Sequence, residues 1–167
     1  KKDLYEKNAT YLDIGCATGH FLKSFLNKLD KKIQYTGIDI SSEYLQWGGE
    51  IFGHSKYCNF VHCDSLNMPF IDKSFDYTIV NLFHFFPNLE DALKETIRVT
   101  NKMIIWRTPI GEITYMIKWV LNEQSFDKLG SLHIERKDID HCIYMLYSKV
   151  YIESIVASLG GRVKFIE

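Results

Sequence analysis

The stretch YLDIGCATGH, residues 11–20, decides how this chain is read. An aromatic and β-branched run ends in a turn with two glycines, Gly15 and Gly19, and Asp13 stands just inside it. Residues 10–15 read as a strand, and residues 19–29 place Phe21, Leu22, Phe25, Leu26 and Leu29 at helical spacing. A strand, a glycine turn and a helix in that order hold a nucleotide in many folds. Glycine lets the backbone approach a ligand closely, and the first turn of the helix offers unpaired N–H groups. The dinucleotide fingerprint G-x-G-x-x-G is not met, because Ala17 lies between the two glycines and His20 follows them. A pyrophosphate cradle is therefore not implied. Asp39, 20 residues after Gly19, ends the next strand, where a carboxylate can accept hydrogen bonds from ribose hydroxyls. The expectation is a nucleoside site.

Outward from this stretch, strands and helices alternate. Residues 32–40 (KIQYTGIDI) read as a strand, Ser41 as an N-cap and residues 43–52 as a helix. Strands follow at 57–63 and 75–82 with a loop around Pro69 between them. A helix over 88–100 and a strand over 102–107 close the regular part. Parallel strands need crossover connections, so the expected fold is a doubly wound α/β domain, its mostly parallel sheet covered by helices on both faces. The ends of the strands at Gly15, Asp39, Asp64 and Asn81 should converge on one crevice, since open parallel sheets bind ligands beyond the carboxyl ends of their strands. The whole chain, 1–167, reads as a single domain. Residues 108–147 break the alternation and read as an insertion of some helical content on the substrate side. Residues 148–159 return as a helix capped by Gly160 and Gly161, and 162–166 as a last strand.

Composition narrows the function classes. The 167 residues are 46% hydrophobic and 14% aromatic, enough for a sizeable core. Twenty basic against 21 acidic residues give a net charge of −1, so there is no positive excess to neutralise a phosphate backbone and no nucleic-acid partner is expected. No run approaches the roughly 18 apolar residues of a membrane span, so the chain reads as soluble, with no membrane partner. Cys16, Cys58, Cys63 and Cys142 form no CxxC pair and the sequence opens on Lys1-Lys2-Asp3, which implies a reducing, cytoplasmic location. Nothing in the sequence specifies an oligomeric state.

In LDIGCATGHF (12–21), GIDIS (37–41), CDSLNMPF (63–70) and the stretch from Asp72 to Val99, the sequence resembles the class I S-adenosylmethionine-dependent methyltransferases. The likeness is to their broad small-molecule group, the type 11-like enzymes, which includes menaquinone-type C-methylating enzymes. It runs from about Asn8 to Arg107 and resumes at Tyr147. It implies S-adenosylmethionine as cofactor, leaving S-adenosylhomocysteine as product. Gly15, Cys16, Ala17 and Gly19 would line the methionine part, with Asp13 below the loop. Asp39 would hold the ribose, Ile40 would cover an adenine face, and Asp64 would meet the adenine amino group with help from Ser65 and Leu66. Asn81 and Phe83 would sit near the sulfonium. Ala17 departs from the family's usual middle glycine, and Asn101-Lys102 from its usual turn before the fifth strand. The family's closing two-strand hairpin is either missing its final strand here or cut.

Each candidate also has a plainer reading. Asp39 could cap the helix after it, Asp76 reads as structural, and the stripe Tyr115, Trp119 and Phe126 reads as core. His84 is the candidate general base, with His133, His141 and Tyr144 behind it. The histidines lack a metal-ligand spacing, so no metal is expected. The fourth strand ends Asn81-Leu82-Phe83-His84 and lacks the motif of enzymes that methylate amino groups of adenine or glutamine, so the expected acceptor is a small molecule, methylated on oxygen, nitrogen or carbon. Alternatives are a non-catalytic cofactor-binding accessory module and a nicotinamide-dependent oxidoreductase.

Overall fold

A computed structural model describes residues 9–28, 33–53, 55–81, 83–86, 88–120 and 141–166. The chain divides into two compact units, Lys1–Leu82 with Glu90–Arg107, and Phe83–Leu89 with Thr108–Glu167. In the first unit β1 (Thr10–Ile14), β2 (Gln34–Asp39), β3 (Cys58–His62), β4 (Phe75–Val80) and β5 (Thr100–Trp106) form a parallel sheet in the order β3-β2-β1-β4-β5. Helix α1 (His20–Lys28) lies between β1 and β2 in the chain, α2 (Ser42–Phe52) between β2 and β3, and α3 (Leu89–Val99) ahead of β5. The order runs outward from β1 in one direction and from β4 in the other, so the topological switch lies between these two strands, where such sheets open a crevice. This is the expected doubly wound α/β arrangement.

The central strands are buried on both faces, which is why their sequences are near-continuous apolar runs. Tyr11 lies opposite Tyr35 on one side and Tyr77 on the other. These three join Leu22 and Phe25 of α1, Leu45 of α2 and Ile79 in one core cluster, in which the Tyr11 ring stacks on Tyr77 at 5.2 Å. The alternate residues Leu12, Ile14, Ile38 and Val80 point the other way by the period-2 rule and are just as buried. Asp76 is structural, as expected. It accepts from the Thr10 N–H (3.2 Å) and pairs with Lys102 at 3.3 Å, tying the starts of β1, β4 and β5. Burial works against its charge, yet these donors hold its carboxyl below the usual range.

The second unit holds a 3-10 turn (Phe83–Phe85), β6 (Ile110–Gly111), β7 (Tyr115–Val120), β8 (His141–Ser148) and α4 (Lys149–Ser158). Strand β8 runs antiparallel to β7, with Tyr115 opposite Leu146, and parallel to β6. The described parts of 108–147 are therefore strands and not helix. YMIKWV and HCIYMLYS are rich in aromatic and branched side chains, and each supplies the other's backbone partners. Residues 121–140, with His133 and Phe126, lie outside the described residues. Helix α4 starts as expected at Ser148, whose hydroxyl accepts from the Tyr151 N–H (3.2 Å), and is followed by Gly160 at φ 75°. The strand expected over 162–166 is not formed. Those residues carry no regular structure, having no ladder partner among the described residues.

Candidate functional site

The glycine turn after β1 is held from below by β2. The Ile38 carbonyl accepts from both the Gly15 N–H (2.8 Å) and the Cys16 N–H (3.0 Å), and the Gly19 N–H closes the turn on the Cys16 carbonyl (2.8 Å). Gly15 (φ 70°), Ala17 (φ 47°) and Gly19 (φ 88°) are all left-handed. At Ala17 a side chain bears the roughly 1–2 kcal/mol cost that glycine avoids, so the surroundings must hold this backbone in place. Asp39 holds it. One carboxylate oxygen accepts from the Ala17 N–H (3.0 Å), and the other accepts from the Ser41 N–H (2.9 Å). Ser41 itself is the N-cap of α2, its hydroxyl accepting from the Tyr44 N–H (3.3 Å). A carboxylate has about four lone-pair sites, so Asp39 joins the turn to the start of α2 and still has acceptor capacity to spare.

Beneath the turn lies a buried polar pair. Asp13 is 1% exposed and accepts from the Tyr35 hydroxyl at 2.6 Å. Burial pushes its carboxyl up to about 7, against the opposing effect of the Tyr35 hydrogen bond and with help from the charge of Asp39. Burial likewise raises the Cys16 thiol and the Tyr35 phenol, so both stay neutral. Cys16 fits there only because residue 37 is glycine, since a Cβ on Gly37 would lie 2.7 Å from the Cys16 sulfur.

Beyond β3 the backbone turns on Asp64, whose carboxylate accepts from the Leu66 N–H (2.9 Å). Ser65 is half-buried. Ile40 is 74% exposed and Leu66 45%, two apolar side chains left open to water just past the ends of β2 and β3. His62 donates from Nε2 to the Ile40 carbonyl (2.9 Å), and the Cys63 N–H donates to the Asp39 carbonyl (3.3 Å), so these two strand ends are tied together. Asn81 follows β4, and its buried Oδ1 has no hydrogen-bond partner among the described residues. Sequence reasoning missed Tyr35, Gly37 and His62. Only Gly37 gave a signal, as a glycine inside a strand where close packing is the usual cause. An open groove of about 420 Å³ flanks α2 and β3, lined by Ser42, Gln46, Gly49, Asn59, Phe60 and His62. None of the residues expected to hold a nucleoside lines it.

Phe83 and His84 belong to the second unit. Phe83 is buried, and the Tyr147 hydroxyl donates to the Phe83 carbonyl (3.4 Å) and to that of Phe86. The His84 ring stands 4.2 Å from Phe85 and 4.8 Å from Tyr144, centroid to centroid. Its Nδ1 is buried without a partner among the described residues, and desolvation lowers its pKa, so the imidazole is neutral near pH 7. His141 lies in β8, and His133 outside the described residues.

The residues present fit a nucleoside cofactor bearing a charged amino-acid tail. They combine left-handed backbone that allows close approach, a carboxylate with spare acceptors, two exposed apolar side chains and a buried amide oxygen unsatisfied among the described residues. A family model described as a methyltransferase domain matches residues 12–103, more than half of the chain. The demethylmenaquinone methyltransferase of Staphylococcus epidermidis is 33% identical over 95 residues, covering 56% of this chain and 39% of its own length. The chain thus spans about two fifths of the length of the curated relatives it matches. Among solved structures, a chain from the complex between the Haloferax volcanii Trm112 methyltransferase activator and a methyltransferase aligns over 96% of this chain and 64% of its own, at TM-score 0.64 and 21% identity. A SAM-dependent methyltransferase from Aquifex aeolicus aligns over 98% of this chain and 78% of its own, at TM-score 0.61 and 20% identity. At such identities the structures speak for the fold, and the family rests on the matched domain together with its four motifs in order: the chain belongs to the class I S-adenosylmethionine-dependent methyltransferases.

Proposed function

We propose that this chain transfers the methyl group of S-adenosylmethionine to a small-molecule acceptor, and that the crevice at the ends of β1, β2, β3 and β4 holds the cofactor. The observation that carries the assignment is the Asp39 carboxylate, which braces the Ala17 N–H of the glycine turn while keeping free acceptor sites. Those sites suit ribose hydroxyls, and Ile40 and Leu66 suit the faces of a purine. Asp64, with Ser65, suits its exocyclic amino group. Gly15, Cys16, Ala17 and Gly19, supported from below by Asp13, would hold the amino-acid tail. The open Oδ1 of Asn81 is suited to accept from an ammonium, and Phe83 is assigned to the sulfonium end. When bound, the cofactor supplies a methyl already activated on a sulfonium, so the protein's contribution is mainly to hold acceptor and methyl in line.

A small-molecule acceptor is supported by the curated relatives, whose names identify demethylmenaquinone as what they act on. The 108–147 segment is assigned to the acceptor side, and His84 to removing the acceptor's proton. A neutral, partly buried imidazole whose Nδ1 is unpartnered among the described residues can do that work. Asp39→Ala should weaken S-adenosylhomocysteine binding by about 1.5–3 kcal/mol in calorimetry, the worth of charge-assisted hydrogen bonds. Unchanged affinity would remove the ribose role. Labelled methyl incorporation into a panel of small molecules identifies the acceptor. His84→Ala should then lower turnover roughly a hundredfold with cofactor affinity nearly unchanged. Binding of S-adenosylhomocysteine without methyl transfer to any acceptor would favour a cofactor-binding module instead. Thermal stabilisation by NAD alone would favour the oxidoreductase.

A further inference from the structure

The segment after β3 is tied to α3 by an array of bonds that its own sequence does not specify. Glu95 and Arg98 stand one helical turn apart, and their side chains meet in a two-pronged pair, Nε to Oε2 and Nη2 to Oε1, both at 2.7 Å. An i,i+3 pair on a helix face stabilises the helix only slightly, so the pair by itself explains little. What sets it apart is its direction. The same Glu95 Oε1 accepts from the Met68 N–H (2.7 Å), and the Arg98 guanidinium donates to the carbonyls of Met68 (3.0 Å) and Phe70 (2.6 Å) and to the Asp72 carboxylate (2.9 Å). The planar fork of arginine reaches all of these at once, which a lysine cannot do. Lys73, held at φ 57°, returns the tie. Its N–H donates to the Arg98 carbonyl (2.8 Å), and its ammonium to those of Ile97 (3.0 Å) and Thr100 (2.7 Å), at the end of α3. Met68, 4% exposed, plugs the segment into the core.

Most of these bonds end on the segment's backbone, so they fix where it lies and not which side chains it carries. Just ahead of Met68, with only Asn67 between, come Asp64, Ser65 and Leu66, folded into one short turn by the Leu66 N–H on the Asp64 carboxylate and the Asn67 N–H on the Asp64 carbonyl (3.1 Å). A turn of this kind is rigid within itself but needs an anchor to be placed. Met68 is two residues from Leu66, and it is the residue that Glu95 and Arg98 grip on both its N–H and its carbonyl.

We infer that Glu95 and Arg98 are positioning residues that place the Asp64–Leu66 turn against the purine, and so set the preference of this methyltransferase for an adenine base. This rests on the cofactor assignment above. The test measures affinity for S-adenosylhomocysteine and for S-inosylhomocysteine, in which a carbonyl replaces the purine amino group. It uses the wild-type chain, Arg98→Met, Arg98→Lys and Glu95→Gln. The wild type should prefer the adenosine compound. Arg98→Met should weaken its binding about tenfold and narrow the preference at least threefold, with Arg98→Lys recovering part of the loss. Amide exchange at Leu66, Asn67 and Met68 should quicken about tenfold in Arg98→Met, while the amides of β1 keep their rates. Glu95→Gln should act in the same direction to a smaller degree, and it carries the test if Arg98→Met does not fold. Equal weakening of both ligands, or an unchanged preference in the folded variants, overturns the positioning role alone. A wild type that binds neither compound overturns the cofactor assignment, and the positioning role falls with it.

Discussion

At the scale of single residues, the glycine turn rests on a carboxyl that is hard to ionise. Asp13 has its pKa pushed up to about 7 by burial, against roughly 3.9 for an exposed aspartate. In the acidic range the folded state therefore holds this proton more tightly than the unfolded chain does. The sign follows: the stabilisation is complete below about pH 4 and is lost as pH rises through about 7. Asp13→Asn keeps an acceptor for the Tyr35 hydroxyl without the charge. Between pH 5 and 8 the stability of the wild type relative to this variant should fall by about 2–3 kcal/mol, read from urea midpoints across pH. Parallel pH profiles for the two proteins would show that Asp13 is ionised in the fold at little cost. Asp39 was legible in the sequence from its place at the end of a strand. The brace it forms to Ala17, 22 residues away in the chain, was not, because it exists only once β1 and β2 lie side by side.

Elements meet at positions where volume decides. Gly37 in β2 faces Cys16 and the Tyr35 ring so closely that a Cβ would lie 2.7 Å from the sulfur and 3.0 Å from the ring. Gly37→Ala should cost about 1–3 kcal/mol, as overpacking in a core does, and Cys16→Ala in the same chain should return part of that. Additive losses in the double variant would mean that the two side chains do not compete for this space. In the second unit Ser148 ends β8 and caps α4, and its N–H donates to the Thr114 hydroxyl oxygen at 2.9 Å. Ser148→Ala should cost about 1 kcal/mol in chemical unfolding, the usual loss for an N-cap. A cost near zero would show that another group takes over the Tyr151 N–H.

For the molecule as a whole, the sheet order sets a gradient of protection. β1 and β4 each have strands on both sides, whereas β3 and β5 are the outermost strands of this sheet among the described residues. Tyr11, Leu12, Ile14 and Val80 are almost wholly buried, while β3 holds only half-buried and exposed residues. Native-state hydrogen exchange should therefore be slowest at the amides of β1 and β4 and at least tenfold faster in β3, because outer strands open without breaking the centre. Equal protection across all five strands would indicate that the sheet opens only as one unit. Among the described residues no helix is long and apolar enough to cross a membrane.

The amino-acid sequence by itself determined the alternation of strands and helices through Arg107, the N-cap at Ser41, the helix following Ser148 and the glycine turn. Each of these is written in side-chain periodicity or in a residue's local preference, within a few positions along the chain. It also placed the candidate nucleoside residues at strand ends, since a parallel sheet brings those ends together whatever else it does. Only the tertiary structure decided which groups meet. Tyr35 on Asp13, His62 on the Ile40 carbonyl and Arg98 on the backbone of Met68 and Phe70 join residues 22 to 30 positions apart. The tertiary structure also turned the described parts of 108–147 into strands and left 162–166 without a ladder. A strand's stability comes from the partner beside it, and in an isolated segment that partner is not yet there.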